Sequence, residues 1–164
     1  MPSTNKQPPD NKQIVRRFMD ECWNQGKLNL VSELVADKCR FHDPVFPSLT
    51  SGANNMRDHI ESSRRGFPDL KFTVDDTIAE RNEVVIHWTV NGTHKGPFLG
   101  MQPTNRRATV SGTSIYRIEG SKIAEVWAHW NLMSLMEQLG VRMAPQSEPQ
   151  QAESQHSESK AHAR

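Results

Sequence analysis

The succession of hydrophobic periods along this chain predicts an α+β fold: helices packed on one face of a curved antiparallel sheet. Three observations carry that expectation. Apolar residues recur at helical spacing through three segments that end at Arg65. From Lys71 onward the apolar period changes to two, in runs joined by tight turns. Helical spacing then returns once, in LMSLMEQLG, before a polar tail. Helices first and strands afterwards is the order of an α+β domain, in which an antiparallel sheet is covered on one side.

The first helix is expected from Asp10, where Asp10 and Gln13 fit a capping box. Ile14, Val15, Phe18, Met19, Cys22 and Trp23 share its apolar face, and Gly26 ends it. A second short helix is expected over 29–35, with Leu30, Val31 and Leu34 inward. Residues 40–43 read as a short strand, stopped by Pro44 and Pro47. Ser51 is placed to cap a third helix over 53–65, with Met56 and Ile60 facing in. Phe72, Val74 and Ile78 then alternate, as do Val84, Ile86, Trp88 and Val90. Ala108, Val110, Gly112, Ser114, Tyr116 and Ile118 share one face of the next strand. Glu119-Gly120-Ser121-Lys122 reads as a hairpin turn leading into IAEVWAHWN. Gly92 and Gly112, inside strands, predict bulges or bends. A curved sheet closed by helices leaves a concavity, where small-molecule sites lie.

Bulk properties exclude several classes. The 164 residues carry 20 Lys+Arg against 19 Asp+Glu, so neither a basic stripe for nucleic acid nor an acidic block is present. No apolar run approaches the ~18 residues of a membrane span, and the N-terminus lacks the apolar core of a signal peptide. Cys22 and Cys39 are not in a CxxC arrangement and read as free thiols in a cytoplasmic protein. Residues 1–11 and 143–164 hold almost no large apolar side chains and are expected to be disordered, leaving 12–142 as one domain. His156 and His162 fall in that tail. His42, Asp43, His94 and His129 show no metal-binding spacing, and no metal is expected.

The stretch EVWAHWN, residues 125–131, holds the chemistry. By strict alternation Ile123, Glu125, Trp127, His129 and Asn131 point one way and Ala124, Val126, Ala128 and Trp130 the other. A mixed face of this kind either meets solvent or lines a pocket, where an apolar wall with a few convergent polar groups is expected. Asp43 is a second candidate acid/base group, and His42 alternates away from it. His94 sits in a glycine-rich segment near the rim of the sheet. Phe98, Leu99 and Met101 read as a lid over the cavity mouth or as a dimer contact.

The strings FHDPVFP, GFPDLKFTVDD, GTHKGPFLGMQPTNRR and IYRIEGSKIAEVWAHWNLMSLMEQLG occur in the order found in the SnoaL-like polyketide cyclase family, which this chain resembles from Lys12 to Val141. That family belongs to the nuclear-transport-factor-2-like superfamily, so the resemblance implies a cone-shaped barrel with three N-terminal helices and a short C-terminal one. It also implies catalysis with no metal and no organic cofactor, by a pocket carboxylate that deprotonates carbon next to a carbonyl while a donor holds the enolate oxygen. Many members end the tryptophan strand in a pattern like W-x-x-W-D; here Asn131 stands at that aspartate, and an amide does not abstract a proton at neutral pH.

The expectation is therefore a cofactor-free acid/base enzyme (a cyclase, isomerase or hydrolase) acting on a small, largely apolar carbonyl or ester compound. His129 or Asp43 would be its base and Asn131 a hydrogen-bond donor. Trp127, Trp88, Tyr116, His42 and His94 would contact the substrate. The alternative, favoured by Asn131, is a non-catalytic small-molecule-binding protein. A homodimer is expected, with neither nucleic acid nor membrane as partner.

Overall fold

A computed structural model describes residues 10–141; the terminal tails expected from composition lie outside the described residues, apart from Asp10 and Asn11. Helices α1 (Asn11–Arg17), α2 (Val31–Leu34) and α3 (Ala53–Gly66) are followed or interleaved by strands β1 (Val35–His42), β2 (Lys71–Glu80), β3 (Glu83–Thr93), β4 (Arg107–Glu119) and β5 (Lys122–Trp130), and α4 (Leu132–Leu139) comes last. The strands form one open sheet in the order β1-β5-β4-β3-β2. Three of its pairings are antiparallel, but β1 runs parallel to β5, so the sheet is mixed where an antiparallel one was expected. Among the described residues no helix is long and apolar enough to cross a membrane.

Local chemistry explains the elements. Asp10 caps α1, its carboxylate accepting from the Lys12 N–H. The helix then widens over Phe18–Asn24 into a π-helical turn, with the Gln25 N–H donating to the Asp20 carbonyl. In a regular α-helix residues five apart diverge by about 140°; in the wider turn Phe18 and Trp23 both line the same cavity. The third helix starts at Ala53 as expected, but its N-cap is Gly52, whose φ of 95° suits glycine, and no side chain of Ser51 caps it. The turn between β4 and β5 has Gly120 and Ser121 at φ 54° and 62°, the paired left-handed conformation of a tight hairpin.

The β1 strand starts five residues earlier than expected, absorbing Val35. Its apolar Val35 and Cys39 are buried against the helices, and a register shift between Val35 and Arg40 accommodates the mismatch with β5. Gly92 and Gly112 are not bulges: the β3–β4 register runs unbroken through both. Gly112 instead makes room for an indole, because a Cβ there would collide with Trp88 and sit 2.8 Å from the His129 carbonyl oxygen.

The main core joins Ile14, Val15, Phe18 and Met19 of the first helix to Ile60 of α3 and to Val84, Ile86, Tyr116, Ile118 and Ile123 of the sheet. Side chains of this size contribute roughly 1.5–3 kcal/mol each when fully buried. A smaller cluster of Phe67, Ala108, Val110, Leu135 and Leu139 docks α4 on the far end of β4. Between the two lies a cavity. Cys22 and Cys39 are free and buried, and burial pushes their thiols up to about 11 and about 12.

Candidate functional site

The cavity holds about 150 Å³ and is walled by aromatic and aliphatic side chains from the π-helical turn after α1, from α3 and from the inner face of the sheet, among them Phe18, Trp23, Phe72, Trp88 and Tyr116. Among the described residues no lysine or arginine lines it. Several wall residues tie off their own polar atoms. The Trp88 indole donates to the Ser114 hydroxyl (3.0 Å), and the Tyr116 hydroxyl donates to the Met19 sulfur (3.4 Å). The Asn91 side-chain oxygen accepts from Arg107 (2.9 Å). What remains to meet a ligand is chiefly one carboxylate, Asp43, and one imidazole, His59.

Asp43 is fixed by the residues that follow it. In Asp43-Pro44-Val45-Phe46 the Phe46 N–H donates to the Asp43 carbonyl (3.1 Å), a β-turn with aspartate first and proline second. The Val45 N–H donates to carboxylate Oδ1 (2.8 Å), the local bond that makes aspartate a turn former. Trp130, at the end of β5, donates its indole N–H to Oδ2 (3.1 Å). Each oxygen thus has one donor and keeps acceptor capacity toward the cavity.

His59 comes from α3, where Met56, His59, Ile60 and Ser63 fall at i, i+3, i+4 and i+7, a single helix stripe. Its ring meets Phe46 at 4.4 Å and Trp23 at 5.6 Å, both edge-on. Among the described residues neither ring nitrogen has a hydrogen-bond partner. Burial pushes the imidazole down to about 4, against the opposing pull of the Asp43 charge, so it is neutral at pH 7.

The expected site on the other face of β5 is not at the cavity. Val126, Ala128 and Trp130 line it, while His129 and Asn131 are solvent-exposed. The cause is a bulge: Ile118 pairs with Ile123 but Arg117 pairs with Glu125, so one extra residue, Ala124, intervenes. A single inserted residue reverses which side chains face inward. Ile123 therefore enters the core while Glu125, Trp127 and His129 turn outward. Asn131 caps α4, its side-chain oxygen accepting from the Ser134 N–H (2.9 Å). His129 borders a shallow outer depression that it shares with His42 and Asp43.

Trp127 lies on the outer face, stacked on His42 at 5.2 Å, with the Arg117 guanidinium 4.9 Å above its ring. That face centres on Glu125, only 4 % exposed, which accepts from Arg117 (2.6 Å), Arg40 (2.7 Å) and His42 (2.8 Å). Burial alone would raise the Glu125 carboxyl; the His42 hydrogen bond and the two guanidiniums outweigh it and hold the group below the usual range. His42 forms part of the cavity wall, yet its imidazole is committed to Glu125.

His94 is fully buried but outside the cavity lining. It stacks on Phe67 at 5.2 Å, and its Nδ1 accepts from the Thr104 N–H (3.3 Å), which ties the two ends of the β3–β4 loop. Burial lowers its pKa, with a Gly96 carbonyl opposing. From that loop Phe98 reaches the cavity wall, against Phe67 at 5.1 Å and Phe46 at 6.0 Å.

Of the expected site residues, then, the fold brings Asp43, Trp88, Tyr116 and the edge of His42 to one cavity. It leaves His129, Asn131, Trp127 and His94 away from it. His59 is the residue that sequence reading passed over, although its place in the α3 stripe was a usable signal.

The family model for SnoaL-like polyketide cyclases matches residues 13–139. No curated protein matches the sequence. Among solved structures, the chain is similar to TsrD of Streptomyces laurentii, with 27% identity and a TM-score of 0.73 over 80% of this chain and 95% of that one. It is similar to AclR of Streptomyces galilaeus, described as a candidate hydroxylase, with 26% identity and a TM-score of 0.68 over 79% and 95% of the two chains. A candidate polyketide cyclase from Acidithiobacillus ferrooxidans shares 25% identity and a TM-score of 0.70, over 85% and 97%.

Proposed function

The chain belongs to the SnoaL-like polyketide cyclase family, and from that premise we propose that it is a cofactor-free acid/base enzyme acting on a small, largely apolar carbonyl or ester compound, with Asp43 as its base. The observation that carries this is the Asp43 carboxylate, held by Trp130 and Val45 on the wall of a largely apolar cavity. A carbon flanked by a carbonyl is acidic enough for a positioned carboxylate to deprotonate, and an apolar surround strengthens each polar contact made there. Because no lysine or arginine among the described residues lines the wall, the cavity favours neutral substrates over free acids.

The enolate so formed would react onward by ring closure or by reprotonation at another carbon. Proton removal itself is measurable without knowing the product. Wild-type protein should speed deuterium uptake at the α-carbon of aryl ketones in D2O, and Asp43→Asn should reduce that acceleration about a hundredfold or more. An unchanged rate in Asp43→Asn would remove Asp43 as the base. The second reading, a binding protein that makes no bond, is favoured by Asn131 at the position where the family often carries aspartate; ligand binding without any acceleration would select it. A homodimer and a cytoplasmic setting belong to the same proposal, and equilibrium sedimentation tests the first.

A further inference from the structure

We propose that His59 is a second catalytic residue, whose imidazole N–H donates a hydrogen bond to the substrate's carbonyl oxygen as Asp43 removes the adjacent proton. The inference rests on the reading of the cavity as a catalytic site with Asp43 as base.

Three independent observations meet at this side chain. His59 lines the cavity together with Asp43. Its ring is held edge-on between Phe46 and Trp23, so its orientation is set by packing and not by a polar partner. Among the described residues no group bonds either ring nitrogen, whereas most other polar atoms of the wall are already paired. A polar ring half-buried in an aromatic wall with both nitrogens unmet is costly unless something else meets them. A substrate carbonyl oxygen in the cavity would do so.

The chemistry needs such a donor. When the α C–H bond breaks, its proton goes to the Asp43 carboxylate, its electron pair forms the new C=C bond, and the carbonyl π pair moves onto oxygen. Negative charge then develops on that oxygen, and among the described residues no lysine or arginine lines the cavity to receive it. The neutral imidazole keeps one N–H, which donates to that oxygen as its charge grows. No oxidant, reductant or co-reactant is required.

Two probes separate the roles. 1-Indanone offers only a carbonyl acceptor and reports on His59; 2-naphthol offers a hydroxyl donor and reports on Asp43. His59→Phe should weaken 1-indanone binding about tenfold and leave 2-naphthol within about twofold, since one well-placed hydrogen bond contributes about that factor. Asp43→Asn should do the reverse. The infrared carbonyl stretch of bound 1-indanone should lie lower in wild type than in His59→Phe, and His59→Gln, which restores an N–H donor, should recover part of that shift. In wild-type protein the His59 ring nitrogens should shift in the NMR spectrum with 1-indanone and not with indane, which lacks the carbonyl; this measurement needs no variant. If 2-naphthol senses Asp43 while 1-indanone affinity, stretch and ring shifts ignore His59, the His59 role is overturned and the Asp43 reading stands. Should neither probe bind wild-type protein, both fall together.

Discussion

Lowering the pH from 7 to 4 should destabilise this protein by about 3 kcal/mol through His59 alone. In the fold its imidazole is pushed down to about 4 by burial, whereas an unfolded histidine titrates at ~6.5. The unfolded chain therefore binds the proton first, and folding stability rises with pH across that window. The contribution is fully present above pH 6.5 and is lost as the pH falls toward the folded value. A gap of about 2.5 units at ~1.36 kcal/mol each bounds the loss near 3.4 kcal/mol, with about 3 kcal/mol gone by pH 4 and roughly half of that by pH 5.5. Asp43 is the charged group that acts on the ring, and its attraction is already included in the lowered value. The assay is urea unfolding of wild type and His59→Phe at pH 7, 5.5 and 4. Other carboxylates titrate alike in both proteins, so the difference between the two curves isolates His59. If the two proteins lose stability in parallel, to within about 0.5 kcal/mol, the ring is not a neutral group enclosed by the cavity wall.

Other perturbations act on contacts elsewhere in the fold. Glu125→Ala leaves Arg40, His42 and Arg117 facing one another without their carboxylate; thermal or urea unfolding should show a loss of about 3 kcal/mol. Because the Glu125 carboxyl is held low in the fold, its contribution is present above ~4.3 and fades as the pH falls through the folded value, so the penalty of the variant should shrink in acid. Gly112→Ala drives a methyl into the Trp88 indole and should cost roughly 1–3 kcal/mol while reducing ligand uptake by the cavity. Asn131→Ala should remove about 1 kcal/mol through loss of the α4 cap and leave α-proton exchange unchanged, which separates its capping role from the catalytic one its sequence position implies.

Element type and order were legible in the sequence because each rests on local signals: the alternation of β3 and β4, the helical stripe of α3, the stop that Pro44 and Pro47 put to β1. What was not legible depends on pairing between distant segments. The parallel docking of β1 on β5 joins residues more than eighty positions apart and leaves no local mark. The Ala124 bulge is defined only by the register of β5 on β4, yet it decides which half of EVWAHWN faces the cavity. Strict alternation grouped Ile123 with Glu125, Trp127 and His129 and left open whether that mixed face met solvent or the cavity; in the structure Ile123 joins the core, the rest of that face lies outside, and Trp130 lies inside. The buried Tyr116-Ser114-Gly112 face of β4 held the needed constraint, since cross-strand partners share a face: Val126, Ala128 and Trp130 pair with those three residues. The π-helical turn at Phe18–Asn24 was equally invisible, because its apolar residues fit regular helical spacing as well.

The most direct test of the account follows the four tryptophans by their indole N–H signals in 15N-labelled protein as 2-naphthol is added. Trp130, bonded to Asp43, should move most, with Trp88 and Trp23 of the same wall moving less, while Trp127 on the outer face stays in place. A response at Trp127 with none at Trp130 would put the binding site on the opposite face of the sheet and contradict the role given to Asp43.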